Sequence, residues 1–553
     1  MSKAVNFSEW RPIWLLLAVF FLGFSASSRA QTDDAFRVMV AEFSGANFAQ
    51  KQVIAERLLD TGHLGVRDVF TALLDSRLFV RDRDQQPFIV ESTDDGLSEF
   101  TLLDPASLAV AGSAQAGQLS RVITNNQLRR FLRNAIPRFS LSSPDADIRL
   151  DAVQQMLRSL DAVTIRLLRD RADEETDERV SYEIDTALAL AALDETDPRR
   201  RLSAVAALAD RMHPEVFNRL SKLLDRAEDG SFVEPSADVR SAAGEALHDI
   251  ERERTFYSVI ETVFFGLSLG SVLALAAIGL TVTFGVMGVI NMAHGELIML
   301  GAYTTYAVQL AMPEHINISV LVAIPAAFIV AGSAGVLIER TIVRFLYGRP
   351  LDTLLATFGV SMVLQQLVRS VFTANNRPVV TPTWMSGTLQ INEVFSLTYN
   401  RLYIILLTLM VFGALLAVLG RTRVGLEIRA VSQNRLMARA MGVRSQWVDA
   451  LTFGLGSGIA GVAGVALSQI GNVGPNLGQS YIIDSFMVVV FGGVGNIWGT
   501  FIGGMSLGIV NKILEPFAGA VLGKIFVLVA VILFIQRRPR GLFPQAGRSA
   551  EGM

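Results

Sequence analysis

Asn291, His294, Glu296, Gln365, Gln366, Asn472, Asn476, Gln479, Asp484 and Asn496 are polar residues set in or beside long stretches that carry almost no charge. A polar group at hydrocarbon depth is costly unless it is paired or faces water, so each of these marks a candidate solute path. Amides, carboxylates and an imidazole suit the replacement of a small molecule's water shell rather than the making of bonds. Plainer roles stand beside that one. Asn291 can cap a helix, Gln365 and Gln366 can tie helices together for about 1 kcal/mol, and Asn472 and Asn476 can shape turns. His294 and Glu296 suggest a proton relay by proximity, but two positions apart on a helix they point to different faces. No catalytic constellation accompanies them. His63, His213 and His248 are isolated, without metal-ligand spacing, so no metal is expected. The absence of cysteine removes disulfides, thiol nucleophiles and cysteine-held metals, while leaving an oxidising compartment open.

The elements that would hold these residues are apolar. Thr262 to Ile290 runs without a charge, and Leu297–Met312, Ile316–Ile338, Thr353–Val368, Leu402–Gly420, Ala450–Ile483, Ser485–Asn511 and Ile525–Ile535 follow in the same manner. Several are long enough to cross a bilayer. The two longest are interrupted by Gly471, Gly474 and Gly478, and by Gly492, Gly493 and Gly495, which predicts broken or re-entrant helices. Basic clusters give the orientation. Arg340, Arg344 and Arg349, the six arginines from Arg421 to Arg444, and Arg537, Arg538 and Arg540 are all placed in the cytoplasm by the positive-inside rule. Three crossings then reach the first cluster and two more the second. The stretch from Trp447 to Ile535 adds one crossing or three with a re-entrant segment, giving about eight to nine hydrophobic elements.

The chain of 553 residues is 51% hydrophobic and 18% charged, with a formal net charge of −3. This excludes a disordered chain, argues against a purely soluble enzyme, and offers no basic field for nucleic acid. Most charge clusters precede residue 255. Lys3 and Arg11 before the apolar run Ile13–Phe24, then Ser28-Arg29-Ala30, form a secretory signal over 1–30; the run is short for an anchor helix. Residues 31–254 are then extracytoplasmic, 255–545 a transmembrane domain, and 546–553 a cytoplasmic tail. The first of these reads as helical, with few strand signals, so the fold class is all-α. Arg149, Arg201 and Arg240 recur behind acidic helix starts at spacings of 52 and 39. That irregular period suggests a degenerate HEAT-type repeat, with an ordinary helical bundle as the alternative.

The stretches Gly266-Leu267-Ser268-Leu269-Gly270, Gly288-Val289-Ile290-Asn291-Met292-Ala293-His294-Gly295-Glu296 and Gly301-Ala302-Tyr303 resemble the opening of the branched-chain amino acid permease family of ABC importers. Phe491-Gly492-Gly493-Val494-Gly495-Asn496-Ile497-Trp498-Gly499-Thr500 and Gly541-Leu542-Phe543-Pro544 fit the same family, so the resemblance covers about residues 255–545. The long N-terminal extension departs from its commonest form. Together with the stretch Val473 to Phe486, that extension is similar to the urea-transporting branch. The resemblance implies a pore-forming subunit in the lipid bilayer of the inner membrane, with a second homologous permease subunit, cytoplasmic ABC ATPase subunits and a periplasmic solute-binding protein as partners.

No phosphate-cradling G-x-x-x-x-G-K-[ST] loop is present; Gly519 to Lys524 comes nearest, with its spacing too short. The chain is therefore expected to bind no cofactor and to draw on ATP through a separate subunit. The resemblance makes the 421–446 segment an ATPase-coupling helix, with Glu427, Arg429, Arg435, Arg439 and the terminating Gly442 as its residues. Its apolar side would comprise Ile428, Val431 and Met437. A bare topogenic role for the arginines is the alternative. The near absence of Lys and Arg among the path candidates suits a small neutral solute such as urea, while branched-chain amino acids or short amides, or a passive urea channel, remain as alternatives. A membrane-anchored sensor would need a cytoplasmic output domain, for which the sequence leaves only loops and a short tail.

Overall fold

The computed structural model describes residues 33–63, 65–91, 99–392 and 394–543. The expected signal segment 1–30 and tail 546–553 lie outside them, as does Pro544. The chain divides into two compact units between Glu251 and Arg252, three residues before the expected boundary.

The first unit opens with α1 (33–41), α2 (Phe48–Asp60) and α3 (Val66–Leu74). An antiparallel sheet follows, made of β1 (Leu78–Arg81), β2 (Pro87–Val90), β3 (Glu99–Leu103), β4 (Val110–Gln115) and β5 (Leu119–Arg121), in the order β4-β3-β2-β1-β5. The sheet adds to the helical fold class and was not expected. Its strands are three to six residues long, and β2 is buried at every position, so no apolar–polar alternation announces it.

The helices α4 (Asn126–Ser140), α5 (Ala146–Met156), α6 (Ala162–Ala172), α7 (Glu178–Ala192), α8 (Pro198–Leu208) and α9 (Pro214–Leu224) come next, before α10 (Ala237–Met287). Helices α5 to α9 share an apolar core that includes Val153, Leu168, Ile184, Val205 and Leu220, whereas Leu128, Leu132 and Ala135 of α4 pack in the core of α2 and α3. Asp145, Asp161, Asp177 and Asp197 cap α5, α6, α7 and α8 through their carboxylates, satisfying amide donors that a helix start leaves free. The three recurrent arginines perform one local task. Arg149 Nη1 donates to the carbonyls of Ser143 and Pro144, Arg201 to those of Glu195 and Thr196, and Arg240 to those of Glu234 and Pro235, at 2.8–3.0 Å. Each arginine thus stitches its helix to the loop five and six residues before it. Arg149 also grips Glu175 (2.7 and 2.8 Å), and Arg201 grips Glu234 (2.8 Å twice), so each guanidinium fork is buried against a carboxylate of a later loop.

The second unit is helical. It comprises the rest of α10, α11 (His294–Ala311), α12 (Ile316–Thr341), α13 (Pro350–Phe372), the hairpin β6 (Thr388–Gln390) and β7 (Ser396–Thr398), and α14 (Tyr399–Arg421). After them come α15 (Arg423–Gln433), α16 (Arg435–Ala440), α17 (Ser445–Ser468), α18 (Leu477–Gly492) and α19 (Ile497–Arg537). Among the described residues six helical stretches, those of α10, α12, α13, α14, α17 and α19, are long and apolar enough to cross a membrane. The apolar α18 is shorter.

A straight α19 of 41 residues would be about 60 Å long. Instead its ends meet. Gly519, at φ +75, interrupts the helix, and Leu542 and Phe543 donate backbone N–H groups to the carbonyls of Phe491 and Gly492 at 2.9 and 3.1 Å. The segment is therefore a helical hairpin folded at Gly519. With α11, α18 and both arms of α19, the eight to nine expected apolar elements are accounted for. Between the 421–446 segment and the tail lie four helical segments: α17, α18 and the two arms of α19. Both basic segments were assigned to the cytoplasm, so an even number of crossings must separate them, and the expectation of one or three does not satisfy that parity.

Glycines set the packing distances. A methyl group on Gly301 would lie 2.0 Å from the carbonyl oxygen of Gly461, and one on Gly279 2.4 Å from that of Gly456. Backbone touches backbone there, the arrangement that small residues permit between membrane helices.

Candidate functional site

The helix α11 does not continue α10. His294 Nε2 hydrogen-bonds the carbonyl of Ala276 at 2.8 Å, eleven residues before α10 ends at Met287. The chain has therefore doubled back about 16 Å along α10 before α11 starts. Gly288, at φ +66, supplies the left-handed turn. The first turn of α11 meets the first turn of α18. A methyl on Gly295 would sit 2.5 Å from the Gly478 oxygen, and one on Gly478 2.2 Å from the Gly295 oxygen. Two interrupted helices thus bring their N-terminal ends together.

Helix α13 runs past this junction and presents Thr353, Thr357, Ser361, Gln365 and Arg369 at intervals of four, which places them on one face. Thr357 Oγ1 accepts the N–H of Met292 at 3.1 Å. Ser361 Oγ and Gln365 Nε2 donate to Glu296 Oε1 at 2.8 and 2.7 Å. Arg369 Nη2 donates to Asn476 Oδ1 at 2.7 Å, at the start of α18. Of this stripe only Gln365 was singled out from the sequence. The period of four was legible there, and weighing only amides, carboxylates and imidazole passed over three hydroxyls.

The sequence-derived candidates separate into groups. Glu296 and Gln365 are brought together, whereas Gln366, the next residue along α13, is exposed. Asn291 is fully buried, and its Oδ1 accepts from Ala293 N at 3.0 Å, a local cap. His294 and Glu296 bond to different helices, α10 and α13, as their two-residue spacing implies. Asn472 and Gln479 are exposed, and Asn476 joins Arg369. Asp484 is buried on α18 and accepts from Lys524 Nζ at 3.0 Å across to the second arm of α19. Asn496 lies elsewhere. It caps α19 through Gly499 N and donates to the carbonyl of Phe543 at 3.3 Å.

The 421–446 segment folds as two short helices rather than one. Asn434 separates them and caps α16 through Met437 N. Gly442, at φ +90, ends α16, with Val443 N bonded to Ala438 O and Gly442 N to Arg439 O, a paired closure for which glycine is the least strained residue. Ile428 and Val431 do not form an outward face; they are buried with Ala438 and Val448. The exposed apolar side chains are Val424, Leu426, Leu436, Met437 and Met441. Arg435 forks onto Asp449 and lies 4.0 Å from the Tyr347 ring centre, while Arg340 lies 4.7 Å from that of Trp447. The two internal basic segments are thereby fastened together. Arg429 reaches the Leu419 carbonyl, Glu427 is half-buried, and Arg439 is exposed.

The family described as branched-chain amino acid transport system, permease component, matches residues 262–536. The high-affinity branched-chain amino acid transport system permease protein BraD of Pseudomonas aeruginosa is 32% identical over 303 residues, covering 52% of this chain and 96% of that protein. LivH of Escherichia coli, a permease protein of the same description, is 31% identical with the same coverage. The ribose import permease protein RbsC of Escherichia coli is 26% identical over 298 residues, covering 50% of this chain and 85% of its own length. No solved structure matches. The matches account for about half of the chain, and the broken α10–α11 and α17–α18 helices and the α19 hairpin all lie within or beside them. A helical membrane unit related over nearly their whole length to transport permeases is a transport component and not an enzyme: this chain belongs to the branched-chain amino acid transport permease family, as a multi-pass protein of the inner membrane.

Proposed function

We propose that this chain is a pore-forming subunit of an ATP-driven importer and that its solute is urea. The observation that carries the reading is the character of the buried polar groups in the second unit. Among its described residues the buried ones are hydroxyls, amides, carboxylates and one imidazole, with no buried lysine or arginine. Urea offers four N–H donors and one carbonyl, and needs acceptors with few donors. An amino acid needs partners for an ammonium and for a carboxylate. A second homologous permease would complete the pathway, and a periplasmic binding protein would deliver the solute. Separate ATPase subunits would dock on the exposed side chains of α15 and α16, so that closure of the ATPases reaches the interrupted helices by alternating access. The first unit, on the extracytoplasmic side, would dock the binding protein or a partner.

Uptake of labelled urea by cells expressing the whole transporter, with and without its ATPase, tests this reading. Uptake that persists without the ATPase would make the chain a passive channel. Branched-chain amino acids form the second reading, favoured by the names of BraD and LivH, and leucine that displaces urea uptake completely would favour it. Removal of residues 31–250 with unchanged high-affinity uptake would reject the docking role.

A further inference from the structure

Three buried side chains at the start of α11, Asn291, His294 and Glu296, each leave one polar atom without a partner, His294 its Nδ1. Asn291, 0% exposed, uses its Oδ1 and leaves Nδ2 unbonded; Glu296, 1% exposed, has both hydrogen bonds on Oε1 and none on Oε2. A buried polar atom left unpaired costs about 1–3 kcal/mol, and such groups are few in folded proteins. Here a donor and an acceptor stand open within six residues. Met292, beside Asn291, is bonded to Thr357, and Glu296 is bonded to Ser361, one turn further along α13. The two segments are therefore held about 6 Å apart along that helix. Both flank the meeting of two helix N-termini, where interrupted membrane helices hold polar solutes.

We propose that this junction is the solute site, with Glu296 Oε2 accepting an N–H of the solute and Asn291 Nδ2 donating to its carbonyl. The proposal rests on the reading of the chain as an importer subunit for urea and gives that reading an address. Ser361 and Gln365 are positioning residues, since they fix the carboxylate through its other oxygen. Thr357 does the same for the Asn291 loop through Met292. The ligand class follows: neutral planar molecules that carry both an N–H and a carbonyl, namely urea, methylurea and primary amides. Tetramethylurea, with a carbonyl and no N–H, is excluded.

Saturation-transfer NMR on the full chain, assembled with its co-purifying subunits in lipid nanodiscs, tests this with methylurea and tetramethylurea as probes. The expected result is a saturable methylurea signal displaced by urea, none for tetramethylurea, and at least tenfold weaker methylurea binding in both Glu296→Gln and Asn291→Ala. Equal binding of the two probes, no binding of either, or a Kd within twofold of the unmodified protein in both variants overturns the site. Should Glu296→Gln fail to assemble, Asn291→Ala and the probe comparison decide alone. Methylurea bound as expected by a transporter that moves no urea would overturn the importer reading and leave the site standing.

Discussion

The backbone N–H of Leu542 donates to the carbonyl of Phe491 at 2.9 Å, and that bond ties the chain beyond a 41-residue helical segment to the helix that precedes it. Around it, a methyl on Gly541 would lie 2.7 Å from Gly493 Cα, and both glycines have positive φ, +74 and +107. Two glycine-rich stretches far apart in sequence are therefore one closure.

Gly541→Ala should lower the thermal midpoint of the detergent-solubilised chain, followed by the loss of the monodisperse peak on heating. The left-handed backbone alone costs about 1–2 kcal/mol, and the contact with Gly493 adds to it. Gly413→Ala is the control, because a methyl there meets nothing within 4 Å. It should leave the midpoint unchanged or slightly raised.

Replacing Leu436 and Met441 by aspartate should abolish ATP-dependent uptake while membrane insertion, read by protease mapping, stays normal. Both side chains are 79% exposed, so the fold does not depend on them. Unaltered uptake would remove α16 from the coupling path.

Arg201→Met leaves the Glu234 carboxylate buried without its cation. Breaking a buried pair in this way costs about 3–5 kcal/mol. Amide exchange in α8 and in the 225–240 segment should accelerate accordingly, while exchange in α2 and α3, which belong to a separate apolar core, should not change.

The Arg149 guanidinium, through its hydrogen bonds, holds the Glu175 carboxyl at about 2, below its ordinary 4.5. A carboxylate with a lowered value stabilises the folded state fully above pH 4.5 and loses that contribution as the pH falls from 4.5 through 2. Limited proteolysis of the first unit should therefore quicken across that window, and Glu175→Gln should flatten the dependence within it.

The apolar helices were readable because hydrocarbon tolerates no stray charge, so the runs free of Asp, Glu, Lys and Arg mark them directly. Their interruption was readable from glycine, although the hairpin was not: Gly519 to Lys524 drew notice only as an incomplete phosphate loop. In the structure Gly519 is the fold point and Lys524 pairs with Asp484. Glu296 and Gln365 could be nominated one at a time, but their meeting depends on α11 starting partway back along α10, a tertiary fact with no local signature. The apolar face expected for the 421–446 segment was assigned from helical spacing as though one helix ran through it. Asn434 divides that helix, and Ile428 and Val431 turn inward against Val448. Strands β1 and β2 were missed because four-residue runs such as Pro87–Val90 look alike in a strand and a buried loop.

Glycine-to-glycine contact has a mechanical corollary. Where Gly301 rests on Gly461 and Gly295 on Gly478, no side chain stands between the backbones to act as a bearing, and sliding by a fraction of a turn would drive a neighbouring Cβ into a carbonyl. Helices α11, α17 and α18 are geared together and must travel as a block. On α13 and α14 glycine makes no such contact: a methyl on Gly359, Gly413 or Gly420 would meet nothing within 4 Å.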